Sequence, residues 1–167
     1  MSAIDKKKAH KKALELLTDD LFWDTSDELT PFGNEFGDTA LNDYRAWREE
    51  SPKLSLVEFL KEVIEDLGEM EFSDYTVKIL DKAVIGNLLT DEEYDVEQLF
   101  DGLDNSIVAA CFAQLIDEGK IDKDAKRLMR IALERQMIAH SLGLYDEDLS
   151  KEYLGNLKVM KEVVEKI

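Results

Sequence analysis

The sequence predicts an all-α fold, a single helical domain over residues 1–167. Three observations carry that reading. The stretch Asn105 to Ile116, NSIVAACFAQLI, has only Gln114 as a polar residue after its opening Asn-Ser pair, and a helix that is apolar all round lies inside a domain, not on its face. Apolar residues recur at three- and four-residue intervals through most of the remaining chain. Helix start and stop signals punctuate those intervals: Ser55-Leu-Val-Glu58 and Thr90-Asp-Glu-Glu93 read as capping boxes, and Gly68, Gly119 and Gly143 stand where helices end.

Taken in order, residues 5–18 form a helix with Ala13, Leu14, Leu17 and Leu21 on its apolar side and His10 at the surface. Asp38 caps a helix over roughly 39–50, where Ala40, Leu41, Tyr44 and Trp47 share a face. The helix opened by Ser55 carries Leu56, Leu60, Val63, Ile64 and Leu67 and ends at Gly68. Residues 73–89 fit a helical stripe through Val77, Leu80, Val84 and Leu88, although Tyr75, Val77 and Ile79 also fit a short strand. A shorter helix with Tyr94, Leu99 and Phe100 stops near Gly102. The central helix spans 105–118, capped by Asp104 or Asn105, with alanines at 109, 110 and 113 for close packing. A long helix runs from Asp122 or Asp124 to Ser141, and a last one covers 147–167. The total is about seven or eight helices. Two helix pairs, near 55–89 and 105–142, have the size of solenoid repeats, so an armadillo-like stack is an alternative arrangement.

Composition bounds the function classes. With 21 basic and 38 acidic residues the formal net charge is −17, which repels phosphate backbones and anionic membranes and favours a basic protein partner. Nucleic-acid and membrane binding are therefore not expected. The lysine-rich segment 1–12 lacks the apolar region of a signal peptide. A single cysteine, Cys111, falls inside the apolar helix, which leaves no disulfide framework and points to the cytoplasm. Oligomeric state is not legible in these residues.

One segment carries unusual chemistry: the acidic and aromatic loop 19–38, DDLFWDTSDELTPFGNEFGD. Pro31, Gly33 and Gly37 break helical periodicity, and seven acids alternate with Phe22, Trp23, Phe32 and Phe36. Candidate binding residues are Trp23, Asp24, Glu28, Phe32, Asn34, Glu35 and Asp38. Asp24, Ser26, Glu28 and Glu35 occupy positions 1, 3, 5 and 12 of a calcium loop, but Leu29 sits where that loop requires glycine. No metal or cofactor is expected. Nor does the chain contain a nucleophile elbow, a phosphate-binding loop or a dinucleotide fingerprint, so no catalytic residue is assigned. Trp23, Phe32, Phe36 and Trp47 either form a partner-binding patch or a satellite core under the loop.

The blocks LFWDTSDELTPFGNEFGDTALNDYRAWR (21–48) and DNSIVAACFAQLIDEGKID (104–122), with ALERQ at 132–136, resemble the YfeS-like family of small acidic bacterial proteins. The family's first block is carried here by Trp23, Asp27, Glu28, Pro31, Phe32, Gly33, Asn34, Glu35, Gly37, Asp38 and Thr39. The resemblance implies a bacterial cytosolic protein and assigns no activity. Charge and the missing catalytic motifs together indicate a non-catalytic interaction or regulatory protein that meets a basic partner; an immunity-type inhibitor belongs to this class by size and charge. The alternative is a carboxylate- or metal-dependent hydrolase using the 19–38 acids.

Overall fold

Thirteen of the sixteen residues of one helix, Leu103–Glu118, are buried, as an all-round apolar sequence requires. In the computed structural model, which describes residues 4–167, this helix is the axis of the fold. Residues 1–3, the first of the lysine-rich segment, lie outside the described residues. Among the described residues there are seven α-helices: α1 Lys11–Leu16, α2 Glu35–Glu50, α3 Leu56–Glu62, α4 Lys82–Leu89, α5 Leu103–Glu118, α6 Lys123–Ser141 and α7 Glu147–Glu165. No strand occurs among the described residues. The fold is all-α.

Helices α1, α2, α3 and α6 pack on α5, and α7 packs on α6. In a solenoid each repeat touches only its chain neighbours; here α1 and α2 reach α5 from far away in sequence, and the stacked-pair layout is not borne out. Small side chains permit the close approach. Ala109, Ala110 and Ala113 are fully buried, and Phe112 meets Phe22 edge to face at 4.9 Å between centroids. Gly119 ends α5 in the left-handed conformation at φ 77°, as its position predicts. The His10 ring lies where a side chain at 119 would go, while His10 Nδ1 accepts from Lys12 N–H and caps α1.

α5 does not begin at Asn105. A π-helical segment, Val96–Gly102, runs into it without a break, so Gly102 is not a stop and neither Asp104 nor Asn105 is a cap. Gly102 is there because the Phe36 ring comes within 2.6 Å of where its Cβ would stand. The combined helix Val96–Glu118 is long and apolar enough to cross a membrane by length and composition, and 83% of its apolar window is buried inside the fold.

α2 also starts earlier than expected. Its cap is Asn34, whose Oδ1 accepts from Gly37 N–H at 2.7 Å, and Glu35, Phe36 and Asp38 lie in its first turns instead of in a loop. The non-α-helical stretch is 17–34, with one 3₁₀ turn at Asp20–Phe22. Gly37 is a helical residue selected by contact: a Cβ there would sit 1.9 Å from the Pro31 carbonyl oxygen. Residues 73–89 are not one helix. Two 3₁₀ turns, Phe72–Asp74 and Val77–Leu80, precede α4, which Asp81 caps through Ala83 and Val84 N–H. Of the expected stripe, Val77 is 70% exposed, while Tyr75 and Ile85 point inward instead.

Helix propensity favours Gly→Ala by about 1 kcal/mol in a helix interior. Gly155→Ala, where nothing lies within 4 Å of the new Cβ, is expected to stabilise the protein in urea unfolding. Gly37→Ala is expected to do the reverse, by about 1–3 kcal/mol, because the Pro31 carbonyl must move. Equal effects at the two positions would mean the loop does not press on α2.

Candidate functional site

The loop residues differ in what they touch. Asp24 Oδ1 accepts from Ser26 N–H and the Ser26 hydroxyl, both at 2.8 Å, and these donors hold its carboxyl below the ordinary 3.8. Asp27 accepts from Leu29 N–H, and the buried Thr30 hydroxyl donates to the carbonyls of Asp24 and Asp27. Such carboxylates act as turn acceptors. Phe32 is core, 1% exposed, and Asn34 is a helix cap. Trp23 is half-buried, donating from Nε1 to the Leu17 carbonyl, with the Lys6 ammonium 5.4 Å from its ring centroid. Glu28 is exposed, and Asp38 Oδ1 is buried without a partner. Of the seven candidate residues, Glu35 alone, with Phe36 beside it, lines the groove between α2 and α3.

That groove has a volume of about 580 Å³. Its origin lies in helix packing. α2 and α3 both pack on α5 more than on each other, and Phe59 of α3 meets Tyr44 and Trp47 of α2 by ring contacts at 6.1 and 5.5 Å. Away from that aromatic hinge the helices leave a channel. A π-helical turn, Val63–Leu67, continues α3 along it. The apolar lining comprises Phe36, Ala40, Trp47, Phe59, Val63 and Leu67, with Ser106 of α5 at the base. Glu35 and Asp43 on one side and Glu62 and Asp66 on the other are exposed carboxylates, and no cationic side chain lines the groove. None of the four forms an ion pair among the described residues. The arginines of α2 are engaged elsewhere: Arg45 makes a two-point contact with Asp117, and Arg48 bonds Glu118 at 2.8 Å.

Trp23, Phe32, Phe36 and Trp47 form neither a single exposed patch nor a single satellite core. Phe32 belongs to the core, whereas Phe36 and Trp47 are half-buried in the groove wall. Sequence reasoning missed the groove because Val63, Leu67 and Asp66 read as an ordinary amphipathic helix. The π turn that re-aims them has no composition signal.

A second polar constellation, also unforeseen, is buried behind α5. Asp104, on the first turn of α5, accepts from Tyr75 OH at 2.7 Å, Arg135 Nε at 2.9 Å and Gln136 Nε2 at 2.8 Å. Burial opposes the charge of Arg135, but Asp104 overcomes it and holds the guanidinium above its ordinary value. The Arg135 guanidinium also lies 4.1 Å from the Phe100 centroid. Next to it, Asp101 accepts from Tyr145 OH at 3.0 Å, and burial raises its carboxyl from 3.8 to about 6. His140 Nδ1 is 2.8 Å from Ser150 Oγ, and its ring stacks on Tyr145. Burial lowers this imidazole from 6.5 to about 4, so it is neutral at pH 7. Although Ser and His at hydrogen-bond distance suggest nucleophilic chemistry, both are 7% exposed and tie α6 to α7. Cys111 is fully buried, and burial pushes its thiol up, away from the reactive thiolate. Among the described residues no cluster of three or more His, Cys, Asp or Glu could hold a metal ion.

No protein-family model, no curated protein and no solved structure matches this chain. The YfeS-like resemblance rests on the residues quoted for it.

Two predictions follow from the buried polar groups. Arg135→Met leaves the Asp104 carboxylate buried without a counter-charge, and urea unfolding should show a loss of about 3–5 kcal/mol; a loss below 1 kcal/mol would refute the pairing. Asp101 binds its proton more tightly folded than unfolded, so its contribution to stability falls as pH rises from about 4 to 6 and is constant above. The gain in stability of Asp101→Asn over the wild type should therefore grow across that window, to a ceiling of about 3 kcal/mol, and then level off. A difference curve without slope between pH 4 and 6 would show that Asp101 is not buried as described.

Proposed function

We propose that the protein is a non-catalytic interaction protein, a regulator or immunity-type inhibitor, that holds a basic protein partner in the groove between α2 and α3. The supporting observation is the pairing of an apolar channel with four carboxylates that no cation among the described residues neutralises. Unpaired like charges repel one another, and a basic partner relieves that repulsion while covering the exposed apolar lining. The net charge of −17 adds long-range attraction for such a partner and repulsion for nucleic acid and anionic membrane. Glu35 belongs to both the loop and the groove. A cytoplasmic location fits the single buried cysteine.

The second reading, a carboxylate- or metal-dependent hydrolase, has less in its favour. Asp24 and Asp27 each hold Oδ1 on a backbone N–H of their own turn, and of the 19–38 acids only Glu35 lines the groove, whereas paired acid–base work needs two carboxylates converging on substrate.

The test is affinity capture from native lysate with the wild type and with a Glu62→Lys, Asp66→Lys double variant. Both positions are exposed, so the variant should fold normally by circular dichroism. A basic protein held in near-stoichiometric amount by the wild type, released as salt rises and lost from the variant, is the expected outcome. Identical capture by both proteins would remove the groove from the function.

A further inference from the structure

The groove constrains the shape of what it holds, and this inference rests on the reading of the groove as a partner site. Its lining offers almost no backbone partners. Both walls are helices, whose interior N–H and C=O groups bond within the helix, and no strand edge exists among the described residues. The hydroxyl at its base, Ser106 Oγ, already donates to the Gly102 carbonyl at 2.8 Å. An extended segment lying here would lose water from its backbone and find nothing to bond, at a cost for every buried amide. A helix satisfies its own backbone and presents only side chains.

The rims then set the pattern of those side chains. On α2, Glu35, Thr39 and Asp43 succeed one another at i, i+4 and i+8, and on the opposite rim Glu62 and Asp66 are i and i+4. Each rim is thus an acidic row along a helix edge, with the apolar lining between the rows. The complementary surface has one apolar stripe flanked on both edges by cations. From Phe36 to Trp47 the channel follows α2 for about 17 Å, equal to about three helical turns.

We propose that the occupant is an amphipathic helix of about three turns whose apolar stripe enters the channel and whose Lys or Arg residues line both of its edges. Its leucine-sized side chains pack between Phe36, Val63 and Leu67, and its cations pair with Asp43 and Glu35 on one side and Glu62 and Asp66 on the other. The partner is a protein carrying such a helix.

Three labelled probes and fluorescence anisotropy test this. The first is a Leu/Lys peptide of about fourteen residues with leucine at helical spacing; the second has the same composition with leucine and lysine alternating; the third is oligolysine of equal length. The expected result is saturable binding of the first probe, with helical circular dichroism in the bound peptide. The alternating peptide and the oligolysine should bind at least about tenfold more weakly, and the Glu62→Lys, Asp66→Lys variant should lose binding of the first. If the alternating peptide binds equally well and the variant still loses it, the helical occupant is wrong and the partner-site reading stands. If the variant binds every probe as the wild type does, the partner-site reading fails as well. Sedimentation of the protein alone gives a third outcome: a concentration-dependent dimer abolished in the variant would overturn the proposal and assign the groove to a second copy.

Discussion

The Asp104 carboxylate governs how the rest of the chain can be arranged. It sits fully buried on the first turn of the one helix with no solvent face, where a lone carboxylate would be prohibitively costly. It therefore draws a donor from each surrounding element: Tyr75 from the 72–80 turns, Arg135 and Gln136 from α6. These bonds hold α6 in register along α5 and bring the turns after α3 down onto the core. Hydrophobic packing supplies most of the free energy of such a core but tolerates sliding and repacking. A charged pair with directional donors does not, and here it sits where four segments meet.

Irregular helical geometry lies beside the same contact. Phe100 lies under the Arg135 guanidinium and Asp101 reaches Tyr145, so the turn before α5 must present residues 100, 101 and 104 to one side. The π-helical segment Val96–Gly102 carries two of them and runs directly into α5, which carries the third. Gly102 then admits Phe36, and the second π turn, Val63–Leu67, is linked to the first by Gln98 donating to the Leu67 carbonyl at 3.1 Å. The groove wall is in this way continuous with the buried polar cluster. Both π segments lie beside the residues with the most unusual environments in the protein.

Charge is distributed along the same lines. The arginines of α2 are used to fasten it to the end of α5, through Asp117 and Glu118, and Tyr44 OH bonds the same Glu118. That fastening leaves Glu35 and Asp43 on the next edge of α2 without an ion pair among the described residues. The acidity of the groove is thus a by-product of how α2 is held, and it is concentrated where apolar side chains remain partly open. Exposed acids elsewhere on α7 and α6 find lysines and arginines, such as Glu134 with Lys161 and Glu165 with Arg130, and solvent screens those pairs strongly.

Much of the architecture was legible from residue order alone. The apolar run 107–113 could only be an interior helix, and Gly119 could only end it. Those features depend on nearest neighbours and on burial, which composition records. What tertiary structure decided are the places where a distant contact outranks a local signal. Gly37 and Gly102 read as breaks, yet both are helical because Pro31 and Phe36 come too close for any side chain. Asp104 reads as a cap and is a buried counter-ion to a residue 31 positions away. Glu35 looked like part of a loop and lines a groove whose other wall begins at residue 59. A cleft is made by two segments whose separation in space is set by a third, and no window of sequence contains all three.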